Sequence, residues 1–271
     1  MANEFPETLT IAGTDSGGGA GVMADLKTMQ EREVFGTAVV VAVTAQNTLG
    51  VQDFMAVPQH LIDEQFASLA ADFNIRACKT GMLADAEHVH DVVVNLKENN
   101  FGPLTVDPVM IAKGGAALLA DDAVTTVRDE LVPLADVLTP NLPEAERLTG
   151  LTIESSDEMV KAALALQDLG AKNIVIKGGH EATPDEASDF VLMADGRSFW
   201  LTAPRIDTVR THGTGDTLSS CITAELAKGQ DYETAIRISK DFVTAAIENT
   251  IPVGHGHGPL NHWAYGQGGA Q

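Results

Sequence analysis

The stretch HGTGDTLSSCITAEL, residues 212–226, is the segment around which we predict the rest of the fold to assemble. It begins as a glycine-rich turn, and apolar residues that recur every four positions predict a helix from Thr217 onward. The free N–H groups and the positive dipole end of such a helix attract a phosphate. Asp216 lies in the turn, where a carboxylate is either a helix cap or a general base for a substrate hydroxyl.

A second glycine-rich loop, TDSGGGAG at residues 14–21, lies near the start of the chain. It follows a short apolar strand predicted at 9–13 and precedes a helix predicted at 22–32. This order typically opens a doubly wound α/β sheet, in which ligands bind at the carboxyl ends of the strands. The loop lacks both the GxGxxG pattern and a Walker GK[ST], so it is neither a dinucleotide-binding loop nor a P-loop. We favour a loop that covers some other ligand over a flexible turn.

Predicted strands and helices alternate along the remaining chain. Further strands are predicted at 37–43, 76–79, 104–107, 136–138 and 173–176. Further helices are predicted at 58–73, 86–98, 121–131, 156–169 and 232–248. An Asp195-Gly196 turn predicts a hairpin between strands at 190–193 and 198–201. The pattern predicts an α/β fold, a three-layer α/β/α sandwich with a mostly parallel central sheet, as one domain over residues 1–271.

Composition argues against several classes of function. The chain has 17 Lys and Arg residues and 38 Asp and Glu residues, and a net charge of −21 disfavours nucleic-acid and anionic-membrane partners. The first residues do not resemble a signal peptide, and no apolar run reaches transmembrane length. Cys78 and Cys221, without a CxxC pattern, predict a reducing, cytoplasmic setting and buried thiols. The tail with His255, His257 and His262 is expected to be solvated rather than metal-binding.

Polar residues follow several of the predicted strands and are expected to converge, because parallel strands end at one edge of the sheet. They are Asp15, Gln46, Asp107, Asn141, Glu144, Lys177 and Asp216. Phosphoryl transfer from a nucleotide needs this mixture: a helix terminus for the phosphate, a lysine to neutralise it, and carboxylates that hold Mg²⁺ through water. Because these residues are expected to lie near Asp216, its interpretation as a general base is favoured over its interpretation as a helix cap.

Seven ordered segments resemble one known family. They are LTIAGTDSGGGAGVMADLKT (9–28), VTAQNTLGVQ (43–52), KTGML (79–83), VDPVMIAKGGAALL (106–119), TPNLPEAERLTG (139–150), VIKGGH (175–180) and HGTGDTLSS (212–220). The chain resembles the ribokinase-like superfamily, specifically its hydroxymethylpyrimidine/phosphomethylpyrimidine kinase branch of thiamine biosynthesis. GHGPLNH at 256–262 also resembles that branch. The resemblance implies a ribokinase-like fold, ATP as phosphoryl donor, Mg²⁺ and a homodimer.

The resemblance also implies a role for each site residue. Gln46 would hydrogen-bond the aminopyrimidine, with Gly13, Asp15 and Met82 forming the rest of the substrate pocket. The nucleotide would be contacted by Asn141, Lys177, Lys113 and, at the adenine, Val243. Mg²⁺ would be organised by Asp107 and Glu144. The catalytic group would comprise Lys177, the anion-hole residues Gly213, Thr214 and Gly215, and the base Asp216.

Two departures from the family pattern keep the substrate open. Hydroxymethylpyrimidine kinases commonly have a cysteine in the anion hole, as GTGC. This chain has Asp216 at that position, and sugar kinases and many pyridoxal kinases also have an aspartate there. Related pyridoxal kinases use a lid cysteine where this chain has Ala112, whereas Gln46 favours a pyrimidine. We therefore expect a pyrimidine kinase that acts on the alcohol and then on its monophosphate. The alternatives are a pyridoxal kinase, both activities in one site, or a non-catalytic vitamin- or nucleotide-binding module.

Overall fold

The computed structural model describes residues 5–110, 121–178 and 185–267. Within these ranges nine strands form one sheet, in the order β3-β2-β1-β4-β5-β6-β7-β8-β9. The strands are β1 Glu7–Gly13, β2 Phe35–Asn47, β3 Gly50–Ala56, β4 Ile75–Thr80, β5 Leu104–Val106, β6 Val137–Leu138, β7 Asn173–Ile176, β8 Glu186–Leu192 and β9 Ser198–Pro204. The six strands from β2 to β7 in this order run parallel, and antiparallel pairings occur at both edges. The predicted mostly parallel sheet is confirmed.

Helices cover both faces of this sheet. They are α1 Gly21–Glu31, α2 Gln59–Asp72, α3 Ala86–Glu98, α4 Asp121–Thr126, α5 Leu142–Thr149, α6 Ser156–Asp168, α7 Thr214–Ala227, α8 Tyr232–Glu248 and α9 Ala264–Gln267. Neighbouring residues of one strand belong to opposite cores: Leu138 packs with α2 to α6, and Val137 packs with α7 and α8. A strand buried on both faces reads as a continuous apolar run, as the sequence does here. The predicted three-layer α/β/α sandwich is confirmed.

Several element boundaries differ from the prediction. Strand β3 was not predicted, because Phe54 and Met55 are both exposed and the segment lacks alternation. The predicted helix 121–131 is α-helical only to Thr126 and continues as a π turn, Val127–Leu131. Helix α7 begins three residues earlier than predicted, because its polar first turn carries no apolar repeat. In the part of the chain that the structure describes, no helix is long and apolar enough to span a membrane.

Candidate active site

The N-terminus of α7 is built around Gly213. This residue has φ of +81°, and a side chain there would collide with the carbonyl oxygen of Gly19 in the first glycine-rich loop. Only glycine suits both the conformation and the contact. The first i to i+4 hydrogen bond of the helix is donated by Thr217 N–H to Gly213 O, at 2.9 Å. The N–H groups of Gly215 and Asp216 precede it, so they belong to the helix end that can bind an anion.

A cluster of three charged side chains lies against this helix end. Lys177 Nζ is 2.9 Å from Asp107 Oδ1 and 4.0 Å from Glu144 Oε2. A side chain at Gly215 would come within 2.9 Å of Asp107 Oδ2 and 3.3 Å of Lys177 Nζ. Burial lowers the pKa of Lys177, but the charges of Asp107 and Glu144 outweigh it and raise the pKa above its usual value. Lys177 is therefore a positive charge directly beside the predicted anion hole.

Glu144 has two structural partners besides Lys177. It forms a capping box with Asn141: Asn141 Oδ1 accepts from Glu144 N–H at 2.9 Å, and Glu144 Oε2 accepts from Asn141 N–H at 2.8 Å. Burial, together with the nearby Asp107 carboxylate, raises the pKa of Glu144 to about 7 although Lys177 opposes the rise. Two buried carboxylates that share Lys177 as a partner form an oxygen donor set that fits a hard divalent cation such as Mg²⁺.

Asp216 is not the cap of its helix. Gly213 holds the N-cap position, and among the described residues no side chain caps α7, so the cap interpretation is wrong. The Asp216 side chain is 16 % exposed, and its Oδ1 lies 3.9 Å from Lys79 Nζ. Gly81, in the KTGML segment, passes beside both atoms. Asp216 thus lies between solvent and a buried ammonium group.

Asp15 organises the first glycine-rich loop. Its carboxylate accepts hydrogen bonds from the N–H groups of Gly17, Gly19 and Ala20 at 2.8–3.0 Å, and its Oδ2 lies 2.9 Å from His212 Nε2. Burial alone would raise the Asp15 pKa, but these hydrogen bonds hold it below its usual value. Loop backbone and His212 thus contact both oxygens of Asp15, and its substrate contact stays a prediction. No sequence pattern indicates the role of Asp15 in the loop, since most of the donors are backbone groups.

Gln46 lies beside the same loop, at the end of β2. Its backbone N–H donates to Ser16 Oγ at 2.8 Å, and Ser16 donates back to the Gln46 carbonyl at 2.7 Å. The Gln46 side-chain amide is 3.3 Å from His212 Nε2. His212, which was not among the predicted site residues, therefore connects Gln46 to the residue that begins the anion hole. Its position directly before Gly213 was the sequence feature that could have indicated a place in the site.

Gly13 and Met82 are neighbours, as a shared pocket wall requires. Gly13 N–H donates to Met82 O at 3.0 Å, and a side chain at Gly13 would come within 2.5 Å of Met82 Cε. Val243 is 6 % exposed in the core between α8 and α7, so the structure does not bring it into the polar cluster, and its adenine contact stays a prediction. Lys113 and Ala112 lie outside the described residues.

The histidine-containing tail is only partly solvated. His255 and His257 are exposed, but His262 is buried and its Nε2 lies 3.1 Å from Thr217 Oγ1 on α7. The expectation of a solvated tail is wrong for His262, because the segment packs against the helix of the anion hole. Within the described ranges, no group of three or more His, Cys, Asp and Glu side chains has an arrangement that could hold a metal ion.

Acid should destabilise the fold through His262. Burial, aided by the Lys27 ammonium, lowers its pKa from 6.5 to about 4. Below pH 6.5 the unfolded chain takes up a proton at this histidine that the folded chain does not. The free energy of unfolding therefore decreases as the pH is lowered from 6.5 towards 4. We expect wild type to lose about 2 kcal/mol more than His262→Gln between pH 7.5 and pH 5, measured by urea unfolding. The exposed His255→Gln serves as control, and equal losses in wild type and His262→Gln would contradict the assignment.

Known proteins are similar to this chain in both sequence and fold. The family model for phosphomethylpyrimidine kinase matches residues 15–261. The Haemophilus influenzae hydroxymethylpyrimidine/phosphomethylpyrimidine kinase is 54% identical over 261 residues, 96% of this chain and 97% of the relative. An ADP complex of Bacillus subtilis pyridoxal kinase has a TM-score of 0.90 and 36% identity, covering 97% of this chain and 99% of that one. Phosphomethylpyrimidine kinase from Clostridium difficile 630 has a TM-score of 0.79 and 39% identity, covering 90% and 100%.

The three-layer fold and its likeness to these kinase structures place the chain among the ribokinase-like kinases. Within this class, the chain belongs to the phosphomethylpyrimidine kinase family.

Proposed function

We propose that this chain, as a single kinase domain, transfers the γ-phosphoryl group of ATP to 4-amino-5-hydroxymethyl-2-methylpyrimidine and then to its monophosphate. The observation that carries the proposal is the convergence of Asp216, Lys177 and Asp107 on the N-terminus of α7. A base, a positive charge and a carboxylate around an anion hole are the parts that phosphoryl transfer uses. The high identity to relatives named hydroxymethylpyrimidine/phosphomethylpyrimidine kinase supports the choice of acceptor.

The chain's own residues divide the work. Asp216 takes the proton of the hydroxymethyl group, so that this oxygen attacks the γ-phosphorus in line with the leaving oxygen. The N–H groups at this helix end, those of Gly213, Gly215 and Asp216, hold the phosphoryl oxygens as charge develops on them. Thr214, which was predicted for the same role, donates its N–H to Thr211 O at 3.4 Å and would have to release it to join them. Lys177 neutralises the transferred group, and it can do so because its ammonium already lies beside Gly215.

The remaining polar residues would serve the nucleotide. Asp107 and Glu144 would hold Mg²⁺ through water, and the bound ion would neutralise phosphate charge. The amide NH₂ of Asn141 would donate to an ATP phosphate, because its Oδ1 is engaged in the capping box. The second transfer needs no base, since a phosphate monoester already offers an anionic oxygen.

Pyridoxal is the second candidate acceptor, since pyridoxal kinases share this fold with TM-scores up to 0.90. Both rings are flat heteroaromatics that carry a CH₂OH group. Steady-state kcat/KM with ATP and each ring separates the two candidates. We expect the pyrimidine to have the higher kcat/KM, and a higher value for pyridoxal would overturn the proposed acceptor. Turnover with neither ring would overturn the kinase function itself.

Gln46→Ala should weaken binding of the pyrimidine. The substrate's ring nitrogen and amine would lose their amide partner, which costs about 1–3 kcal/mol. ATP affinity should stay the same, because Gln46 lies on β2, whereas the proposed nucleotide contacts Asn141 and Lys177 follow β6 and β7 on the other side of the parallel sheet. Isothermal titration calorimetry with each ligand measures both effects, with the exposed Gln52→Ala on β3 as the matched control. Unchanged pyrimidine affinity in Gln46→Ala would place the ring elsewhere.

We also propose a homodimer that uses the β2–β3 edge of the sheet. Val43, Leu49, Phe54 and Met55 expose apolar side chains there, with Met55 66 % exposed. Adjacent exposed apolar groups on an edge strand favour association with another chain. Light scattering should give twice the chain mass for wild type and the single chain mass for Met55→Glu. A wild-type monomer, or an unchanged Met55→Glu dimer, would contradict this interface.

A further inference from the structure

A fully buried ion pair lies directly behind Asp216. Lys79, on β4, and Asp25, on α1, have side chains with no exposed surface, and Lys79 Nζ is 2.8 Å from Asp25 Oδ1. The same Nζ lies 3.9 Å from Asp216 Oδ1. The mechanism above uses neither Lys79 nor Asp25.

The carboxylate of Asp25 is fixed from several directions. Its Oδ2 accepts from Thr10 Oγ1 at 2.6 Å, and its Oδ1 accepts from Ser220 Oγ at 3.2 Å as well as from Lys79. The same Ser220 hydroxyl lies within hydrogen-bonding distance of the backbone carbonyl of Asp216, so its one proton serves either acceptor. Strand β1, helix α1, strand β4 and helix α7 therefore contribute to one hydrogen-bonded network that ends at Asp216.

Burying two charges costs desolvation free energy, and apolar side chains of similar volume would often give the fold the same stability. Burial lowers the pKa of Lys79, but Asp25, Asp216 and Asp107 outweigh it and raise the pKa above its usual value. Burial raises the pKa of Asp25 to about 6, with Lys79 opposing the rise. At neutral pH the network thus presents one fixed ammonium to the partly exposed carboxylate of Asp216.

We infer that Lys79 is a positioning residue for Asp216: anchored by Asp25, its ammonium attracts Oδ1 of Asp216 by charge at 3.9 Å and leaves Oδ2 for the acceptor hydroxyl. This inference rests on the proposed function, in which Asp216 is the base. Because Lys79 is buried and acts through Asp216, it should matter for the alcohol acceptor and not for the phosphate acceptor. A purely structural role would instead affect both transfers, since they share one anion hole.

The test replaces both charges together, because Lys79→Met alone would leave Asp25 buried without its counter-charge. Asp25→Asn/Lys79→Met removes the pair, and the new amide can still accept from Thr10 through its oxygen and donate to Ser220 through its NH₂. The matched control is Arg32→Met/Glu225→Gln, which removes another ion pair, of 2.7 Å, between the residue that directly follows α1 and a residue of α7. This pair does not face Asp216. Folding of each variant is checked by circular dichroism and thermal unfolding.

We expect the double variant to lower kcat of the alcohol transfer about tenfold, with KM for ATP unchanged and the phosphate transfer within about twofold of wild type. The control pair should leave both transfers near wild type. In an Asp216→Asn background, removing the pair should have no further effect on the alcohol transfer, because the group that it positions is absent.

Three results would overturn the inference: equal losses in both transfers, an additional loss in the Asp216→Asn background, or no loss of the alcohol transfer. If the double variant does not fold, Asp25→Asn alone decides, since it keeps Lys79 charged but weakens its anchor. It should lower the alcohol transfer several-fold and spare the phosphate transfer, and equal or absent losses would overturn the inference. Failure of the proposed function is distinguishable, because wild type would then phosphorylate no pyrimidine alcohol.

Discussion

Asp216→Asn is expected to lower the rate of alcohol phosphorylation by ~10²–10⁴-fold, the range typical of a positioned general base. A primary alcohol is a weak nucleophile at neutral pH, whereas the phosphate monoester of the second transfer is already anionic. The second transfer should therefore lose much less. Asparagine keeps the size of the side chain, and α7 does not depend on Asp216 for its cap, so the anion hole should persist.

The two transfers are compared in one preparation of Asp216→Asn, with the same ATP and with each acceptor supplied separately. Removing a negative charge beside the incoming phosphates should also favour binding of the monophosphate. Equal losses in both transfers would mean that Asp216 acts through the metal or the loop geometry. An unchanged alcohol transfer in a folded variant would remove Asp216 from the chemistry.

Lys177→Ala should have the second largest effect, a fall in kcat/KM for ATP of about 10²-fold. The variant loses a charge-assisted contact to the phosphates, worth about 1.5–3 kcal/mol. It also leaves Asp107 and Glu144 as neighbouring carboxylates without the ammonium that contacts both of them. Both effects disfavour a polyanionic substrate, so KM for ATP should rise and kcat should fall.

The matched control for this prediction is Lys172→Ala. Lys172 also pairs with an aspartate, Asp136 at 2.7 Å, but it is largely exposed. Steady-state kinetics with ATP as the varied substrate should leave the control near wild type. Near-normal kinetics in Lys177→Ala would remove Lys177 from the phosphate site.

The parts of the site that lie at strand ends could be predicted from the sequence, because a parallel sheet brings its carboxyl ends to one edge. Asp107, Lys177 and Asp216 do meet there. Helices 86–98 and 232–248 were predicted with the bounds they have, since their apolar periodicity covers their full length. An amphipathic pattern is contained within the helix segment itself, and tertiary packing leaves the bounds of these two helices unchanged.

The rest depends on contacts between distant segments. Asp15 satisfies N–H groups of its own loop and meets His212, which is 197 positions away. Lys79 lies in a strand that also contains the exposed Arg76, so its charge reads as an ordinary solvated one, and its partner Asp25 reads as the polar face of a helix. Nothing local in either segment indicates that the two charges are buried against each other. Such pairings become visible only once the topology places β4 between β1 and β5, facing α1 and α7.

The central claim is that one site phosphorylates a pyrimidine alcohol and then its monophosphate. A ³¹P NMR time course of wild-type protein with ATP, Mg²⁺ and hydroxymethylpyrimidine tests it most directly. The account predicts that the monophosphate appears first and the diphosphate follows, with one ATP converted to ADP for each phosphate transferred. ATP hydrolysis without any pyrimidine phosphate, or a monophosphate that accumulates and is never phosphorylated further, would contradict it.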